Sequence, residues 1–160
     1  MLLLVLLSFF SLPPIVRNCE CPPAPTVEVA VKNSAAVFAG EVIAEDYRTV
    51  ENEEGKVLVI TLKVRRWWKG TGANEIELYT SERKYANGKT VVMAEDFVFK
   101  KGESYLVYAS VKDQKLRTSD CSRTTSLADA AEDLDQLGAG TAPKPRSGTR
   151  ESPNNLFELK

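Results

Sequence analysis

The chain has 160 residues, with 21 Lys and Arg against 22 Asp and Glu and a formal net charge of −1. That length holds one domain with a modest core, and a charge near zero gives no reason to expect nucleic acid or an anionic membrane surface as partner. Histidine is absent, which removes the commonest general base, the commonest zinc ligand and every Ser-His or Cys-His arrangement, so the chain is not expected to be an enzyme or to hold a cofactor.

Met1 to Leu12 is an apolar run, MLLLVLLSFFSL. It has the length of a signal-peptide core and is too short to span a bilayer, so residues 1–18 read as an export signal. No Lys or Arg precedes the run and no A-x-A site follows it. The mature chain is expected outside the cell or at its surface, without a transmembrane span. Export implies an oxidising compartment in which disulfides persist.

Three cysteines follow, two of them one residue apart in Cys19-Glu20-Cys21-Pro22-Pro23, the third at Cys121. Proline fixes its own φ and restricts the residue before it. This segment therefore cannot open a helix at Cys21 and fits a sheet ladder poorly; it reads as an extended ridge pinned to the fold by a disulfide. A catalytic thiol at Cys21 or Cys121 would need a neighbouring base, and histidine is missing. Cys19-x-Cys21 also lacks the second pair of ligands that a zinc site requires. Three cysteines make one disulfide and leave one over.

Thr26 to Ala36 carries two signals. Thr26 can cap a helix whose face is Val27, Ala30, Val31 and Ser34, while the valines also suit a strand; a short helix is expected. Val37 to Tyr47 reads as the first strand, with Phe38, Val42 and Ala44 on one side and Glu41 and Glu45 on the other. Gly40 inside it marks a bulge or tight bend. Glu51 to Gly55 is a polar turn. Lys56 to Lys69 is the longest strand candidate: Leu58, Ile60, Leu62 and Val64 alternate with Val59, Thr61, Lys63 and Arg65, which predicts one buried face.

The end of that strand carries Trp67-Trp68, flanked by Arg65, Arg66 and Lys69. Basic and aromatic side chains together can stack on and grip a single-stranded nucleic acid or a sugar. On a strand the two indoles point to opposite faces, so at least one is expected to pack in the core. Glu75 to Thr80 is a third strand with Ile76 and Leu78 inward. Asn87-Gly88 signals a two-residue turn and a small hairpin over Arg83–Met93. Ser104 to Ser110 is a fourth strand, and Asp113-Gln114 turns it into a fifth at Lys115–Thr118.

Leu127, Ala130, Ala131, Leu134 and Leu137 form a helical stripe, with Ser126 and Asp129 as a cap pattern and Gly138 placed to end it. The acidic row Asp129, Glu132, Asp133 and Asp135 reads as the solvated face of that helix. Residues 139–160 are small, charged and proline-rich, and read as a disordered tail. About five short strands and a late helix suggest a small closed or partly open barrel.

The motifs C-E-C-P-P-A-P, AVFAGEV, a basic strand ending in W-K-G, G-E-S-Y-L-V-Y-A, L-R-T-S-D-C-S-R-T and an A-x-D-L-x-x-L helix follow one another between Cys19 and Gly138. This order resembles the tissue inhibitor of metalloproteinases family. It is most similar to the short microbial-type members that keep only the N-terminal, netrin-module-like domain. The resemblance implies a mainly β fold over residues 19–138, a five-stranded OB-fold Greek-key barrel with a short N-terminal helix and a C-terminal helix. It also implies a disulfide between Cys21 and Cys121.

The same resemblance implies inhibition of a zinc metalloendopeptidase. After cleavage at Asn18, the α-amino group and carbonyl oxygen of Cys19 would chelate the target's zinc and displace the water that the zinc activates. Glu20 would point into the specificity pocket, with Cys21, Pro22 and Pro23 completing the ridge. In the family the first cysteine pairs with one just before the Y-L-V strand; here Ala94, Glu95 and Asp96 stand there, and Cys19 lacks that partner. The second functional reading is an extracellular binding module that uses the face near Arg65, Arg66, Trp67 and Trp68.

Overall fold

The computed structural model describes residues 21–144. The expected export signal over residues 1–18, Cys19 and Glu20 of the expected ridge, and residues 145–160 of the expected tail lie outside the described residues.

Helix α1 spans Val27–Asn33. Thr26 caps it, its Oγ1 accepting from the Val29 N–H at 3.4 Å. Val27 and Ala30, three apart, turn one face into the core, and this settles the helical reading over the extended one. At the other end the Lys69 ammonium donates to Val31 O and Lys32 O at 2.9 and 3.1 Å, where the carbonyls of a helix end lack partners.

The strands are β1 Ala36–Thr49, β2 Lys56–Lys69, β3 Glu75–Lys84, β4 Thr90–Val91, β5 Ser104–Lys112, β6 Lys115–Arg117 and β7 Thr125–Ser126, followed by helix α2 Ala131–Leu137. They form an antiparallel sheet in the order β4-β3-β2-β1-β5-β6, with β7 on β5. The protein is thus mainly β with two short helices. β1 lies between β2 and β5. Phe38 and Val107 enter the main core with Ile60, Leu62, Ile76 and Leu78. Val37, Leu106 and Tyr108 face the other way, under Ala30 of α1 and Ala130 before α2.

β2 departs from the single buried face expected of it. Val57 and Val59 are buried with Tyr79 in a separate cluster, on the side opposite Ile60 and Leu62. Further along, Gly40 pairs with Val64 but Ala39 with Arg66, so Arg65 is an extra residue in the ladder. Such a bulge shifts the alternation by one, which lets both Val64 and Trp67 face the main core. Gly40 lies at this irregularity, and a Cβ there would stand 3.1 Å from Lys63 O.

The turns follow their local chemistry. Asp113 and Gln114 adopt φ of 51° and 59°, the conformation of a tight two-residue hairpin turn. The Asn87-Gly88 hairpin differs from expectation: Gly88 N–H donates to Tyr85 O at 3.0 Å and Tyr85 N–H to Lys89 O at 2.9 Å. With Gly88 at φ 82°, the loop has three residues and ends in a glycine bulge.

Three expectations for the C-terminal part are corrected. α2 starts at Ala131 instead of near Leu127, because Thr125 and Ser126 are still extended and paired with β5 as β7; the Ser126–Asp129 cap closes a turn, with Asp129 N–H donating to Ser126 Oγ at 3.3 Å. Asp133, assigned to the solvated row, is 5 % exposed. Residues 139–144 of the expected tail are docked. Trp67 and Thr141 exchange backbone bonds of 2.8 and 2.7 Å, and Lys144 N–H donates to Gly72 O at 2.8 Å.

The two ends of the sheet approach each other. Arg117 of β6 donates from Nη1 to Thr80 O of β3 at 2.9 Å. Glu53, from the β1–β2 turn, joins the same seam: its carboxylate pairs with Arg83, with Lys115 at 2.8 Å and with Arg117 at 3.3 Å. Burial pushes the Glu53 carboxyl up, but Lys115, Arg83 and Arg117 outweigh it and hold the group below the usual carboxylate range.

Candidate functional site

Cys21 and Cys121 form a disulfide across 100 residues of sequence, with their Cα atoms 5.1 Å apart. Cys21, Pro22 and Pro23 have no regular secondary structure and stand in solvent, as stiff Pro-rich backbone outside a ladder does. The ridge is therefore tethered covalently at Cys21 while its next two residues are free to meet a partner.

The other end of the tether is a short loop held by hydroxyl groups. Thr118 Oγ1 donates to Tyr108 O at 3.0 Å and lies 2.6 Å from Thr124 Oγ1. Thr124 Oγ1 accepts from Tyr108 N–H at 3.0 Å, and Ser122 Oγ donates to Ser119 O at 2.7 Å. These bonds stitch L-R-T-S-D-C-S-R-T to β5 and fix where Cys121 sits. Asp120 N–H donates to Glu95 O at 2.9 Å, so the Ala94-Glu95-Asp96 stretch lies beside the disulfide loop. Burial, and then the charge of Asp96, push the Asp120 carboxyl up. The Asp96 carboxylate in turn accepts from Ser81 N–H at 3.1 Å.

Two residues beyond Cys121, Arg123 makes a second connection to the ridge. Its Nη1 donates to Pro25 O at 2.9 Å. The other edge of the guanidinium grips Asp133 of α2, Nε to Oδ2 at 2.9 Å and Nη2 to Oδ1. Tyr108 of β5 donates its hydroxyl to Asp133 Oδ2 at 2.7 Å. Burial pushes the Asp133 carboxyl up, yet the bonds from Arg123 and Tyr108 outweigh it and leave the group below the usual carboxylate range. Tyr108 is driven far above its usual value by burial and by its bond to Asp133.

Sequence reasoning quoted Arg123 only as part of C-S-R-T and placed Asp133 with the solvated acids. The signal for Asp133 is its position three residues after buried Ala130 and four before Leu137, on the edge of the apolar stripe.

The four residues of the second candidate face do not form one surface. Trp67 is 2 % exposed; its ring packs on Phe38 at 5.1 Å between centroids, and its Nε1 donates to Ala73 O at 2.9 Å. Trp68 is half-buried on the opposite side and donates Nε1 to Gly138 O at 2.9 Å. Residues 138–141 run over Arg66 and Trp68, where a Cβ at Gly140 would stand 2.8 Å from Arg66 Cγ. Arg65 is exposed and paired with Glu41 at 2.7 Å.

Among the described residues, no group of three or more His, Cys, Asp and Glu side chains converges to hold a metal ion, and no helix is long and apolar enough to cross a membrane. No protein-family model matches the chain, and no curated protein matches it.

Proposed function

We propose that this protein is an exported inhibitor of a zinc metalloendopeptidase, related to the tissue inhibitors of metalloproteinases, and that Cys19 to Pro23 is its inhibitory edge. The observation that carries this reading is the solvent-exposed Cys21-Pro22-Pro23 segment, bonded through Cys21 to Cys121. An inhibitor that enters a protease cleft needs a protruding backbone with little freedom left to lose, and a proline-stiffened segment anchored by a disulfide supplies it. In this reading the sheet is an OB-fold barrel of five principal strands, β1, β2, β3, β5 and β6. What supports that assignment is the approach of β6 to β3 through Arg117 and Thr80, at the place where such a barrel would close.

Signal removal after Asn18 frees the α-amino group of Cys19, which chelates the target's zinc together with the Cys19 carbonyl. Glu20 then enters the specificity pocket. An unpaired carboxylate is costly to desolvate, so the target is a protease whose pocket carries a cation. The alternative binding-module reading is left without Trp67, which is in the core, and with half-buried Trp68.

The test is titration against a panel of zinc endopeptidases, using the chain that begins at Cys19 and the same chain with one alanine added before it. The first is expected to inhibit stoichiometrically and the second to lose at least about a hundredfold in affinity, since its zinc-binding amine is now an amide. Equal inhibition by both forms rules out chelation.

A further inference from the structure

We infer that Arg123 is a positioning residue for the ridge: a second anchor, at Pro25, that sets the direction in which Cys21 to Pro25 runs even when the disulfide is open. Its structural content stands on the geometry alone; its consequence for inhibition rests on the reading of Cys19 to Pro23 as the inhibitory edge.

One covalent bond fixes a point and leaves the segment free to swing about it. A second attachment four residues along fixes a direction, provided the chain between is stiff. Pro22, Pro23 and Pro25 each lock φ, so it is. Both attachments come from a single short stretch, Cys121 for the disulfide and Arg123 for the Pro25 carbonyl. That stretch is itself bonded to β5 through Thr118 and Thr124.

The second anchor is rigid because the guanidinium cannot turn. Its Nε and Nη2 are committed to Asp133, a residue 5 % exposed that is also bonded by Tyr108, which leaves Nη1 for Pro25 O. Arginine can do this because its donors are spread over a planar fork. A lysine ammonium is a compact point charge that can satisfy Asp133 or Pro25 O without spanning both in fixed geometry. The ridge is thus referenced to α2 and β5 as well as to its own disulfide.

The test reads backbone amides by NMR in the full chain. In a Cys21→Ser, Cys121→Ser background, the Ala24 amide is expected to keep its folded-state position while Arg123 is intact, and to move to a random-coil position when Arg123→Lys is added. A random-coil position with Arg123 intact, or an unchanged position with Arg123→Lys, overturns the inference.

Should the background fail to fold, Arg123→Lys alone in the disulfide-bonded chain decides. The backbone order parameter at Ala24 then falls toward the flexible range, below about 0.6, while those of Val37 and Leu106 in the core are unchanged; no fall contradicts the anchor. Against any zinc endopeptidase the wild type inhibits, the same variant is expected to bind about tenfold more weakly through faster dissociation, as loss of preorganisation predicts. A wild type that inhibits none removes the inhibitor reading and leaves the amide result to judge the anchor by itself.

Discussion

Asp133 is where a single side chain matters most. It lies in an acidic row, yet it is the member that faces inward, meeting Arg123 and Tyr108. Composition alone could not separate it from Glu132 and Asp135, because a lone acid on a helix is ordinarily solvated. Only its partner, supplied by a loop ten residues earlier, makes its burial tolerable. Removing Asp133 leaves the part-buried Arg123 guanidinium and the Tyr108 hydroxyl without their acceptor, so Asp133→Ala is expected to cost about 3 kcal/mol in urea unfolding, against about 1 kcal/mol for Tyr108→Phe.

The pair also sets a pH dependence. Asp133 and Glu53 both titrate below the usual carboxylate range. A depressed carboxyl contributes stability that is present above its unfolded pKa, about 4, and lost as pH falls through the lower folded value. Asp120, raised by burial and then by Asp96, has the opposite sign and gives up its share as pH rises. With two depressed groups against one raised, unfolding free energy measured from pH 6 downward is expected to fall below about pH 4, and Asp133→Asn to flatten that slope.

At the level of elements, the strands were readable wherever alternation was clean. Ile76 and Leu78 in β3 and the Asp113-Gln114 turn stand as their local chemistry dictates. Reading stopped where a ladder irregularity intervenes. The extra residue at Arg65 puts Val64 and Trp67 on one side, which a strict period of two forbids. The strap after α2 was unreadable for another reason. Gly-Ala-Gly-Thr has no periodicity, and it docks by backbone bonds to Trp67 that any sequence could make.

The strap does leave one residue-specific demand. Gly140 has φ 63°, and a Cβ there would stand 2.8 Å from Trp67 O and 2.9 Å from Trp68 Nε1. Gly140→Val is expected to lift the strap at a cost of about 1–3 kcal/mol, freeing the Trp68 indole from Gly138 O. Tryptophan fluorescence should shift to the red while the far-ultraviolet dichroism of the sheet stays. An unshifted spectrum would mean the strap does not bear on Trp68.

For the molecule as a whole, the disulfide dominates. Closing a loop of 100 residues restricts the unfolded chain by an amount worth about 4–5 kcal/mol in the chain-entropy account. Spacing could not choose among the three possible pairings of Cys19, Cys21 and Cys121; the order of motifs and the family they resemble pointed to this one. Of the three cysteines in the sequence, the bond leaves Cys19 outside it.

Mass spectrometry of the protein recovered outside the cell, digested without reduction, tests this account most directly. It is expected to yield a first peptide that begins at Cys19 with a free amine and is joined through Cys21 to the peptide containing Cys121. A mature chain that starts before Cys19, an acylated Cys19, or a Cys21 linked to anything other than Cys121 would contradict it.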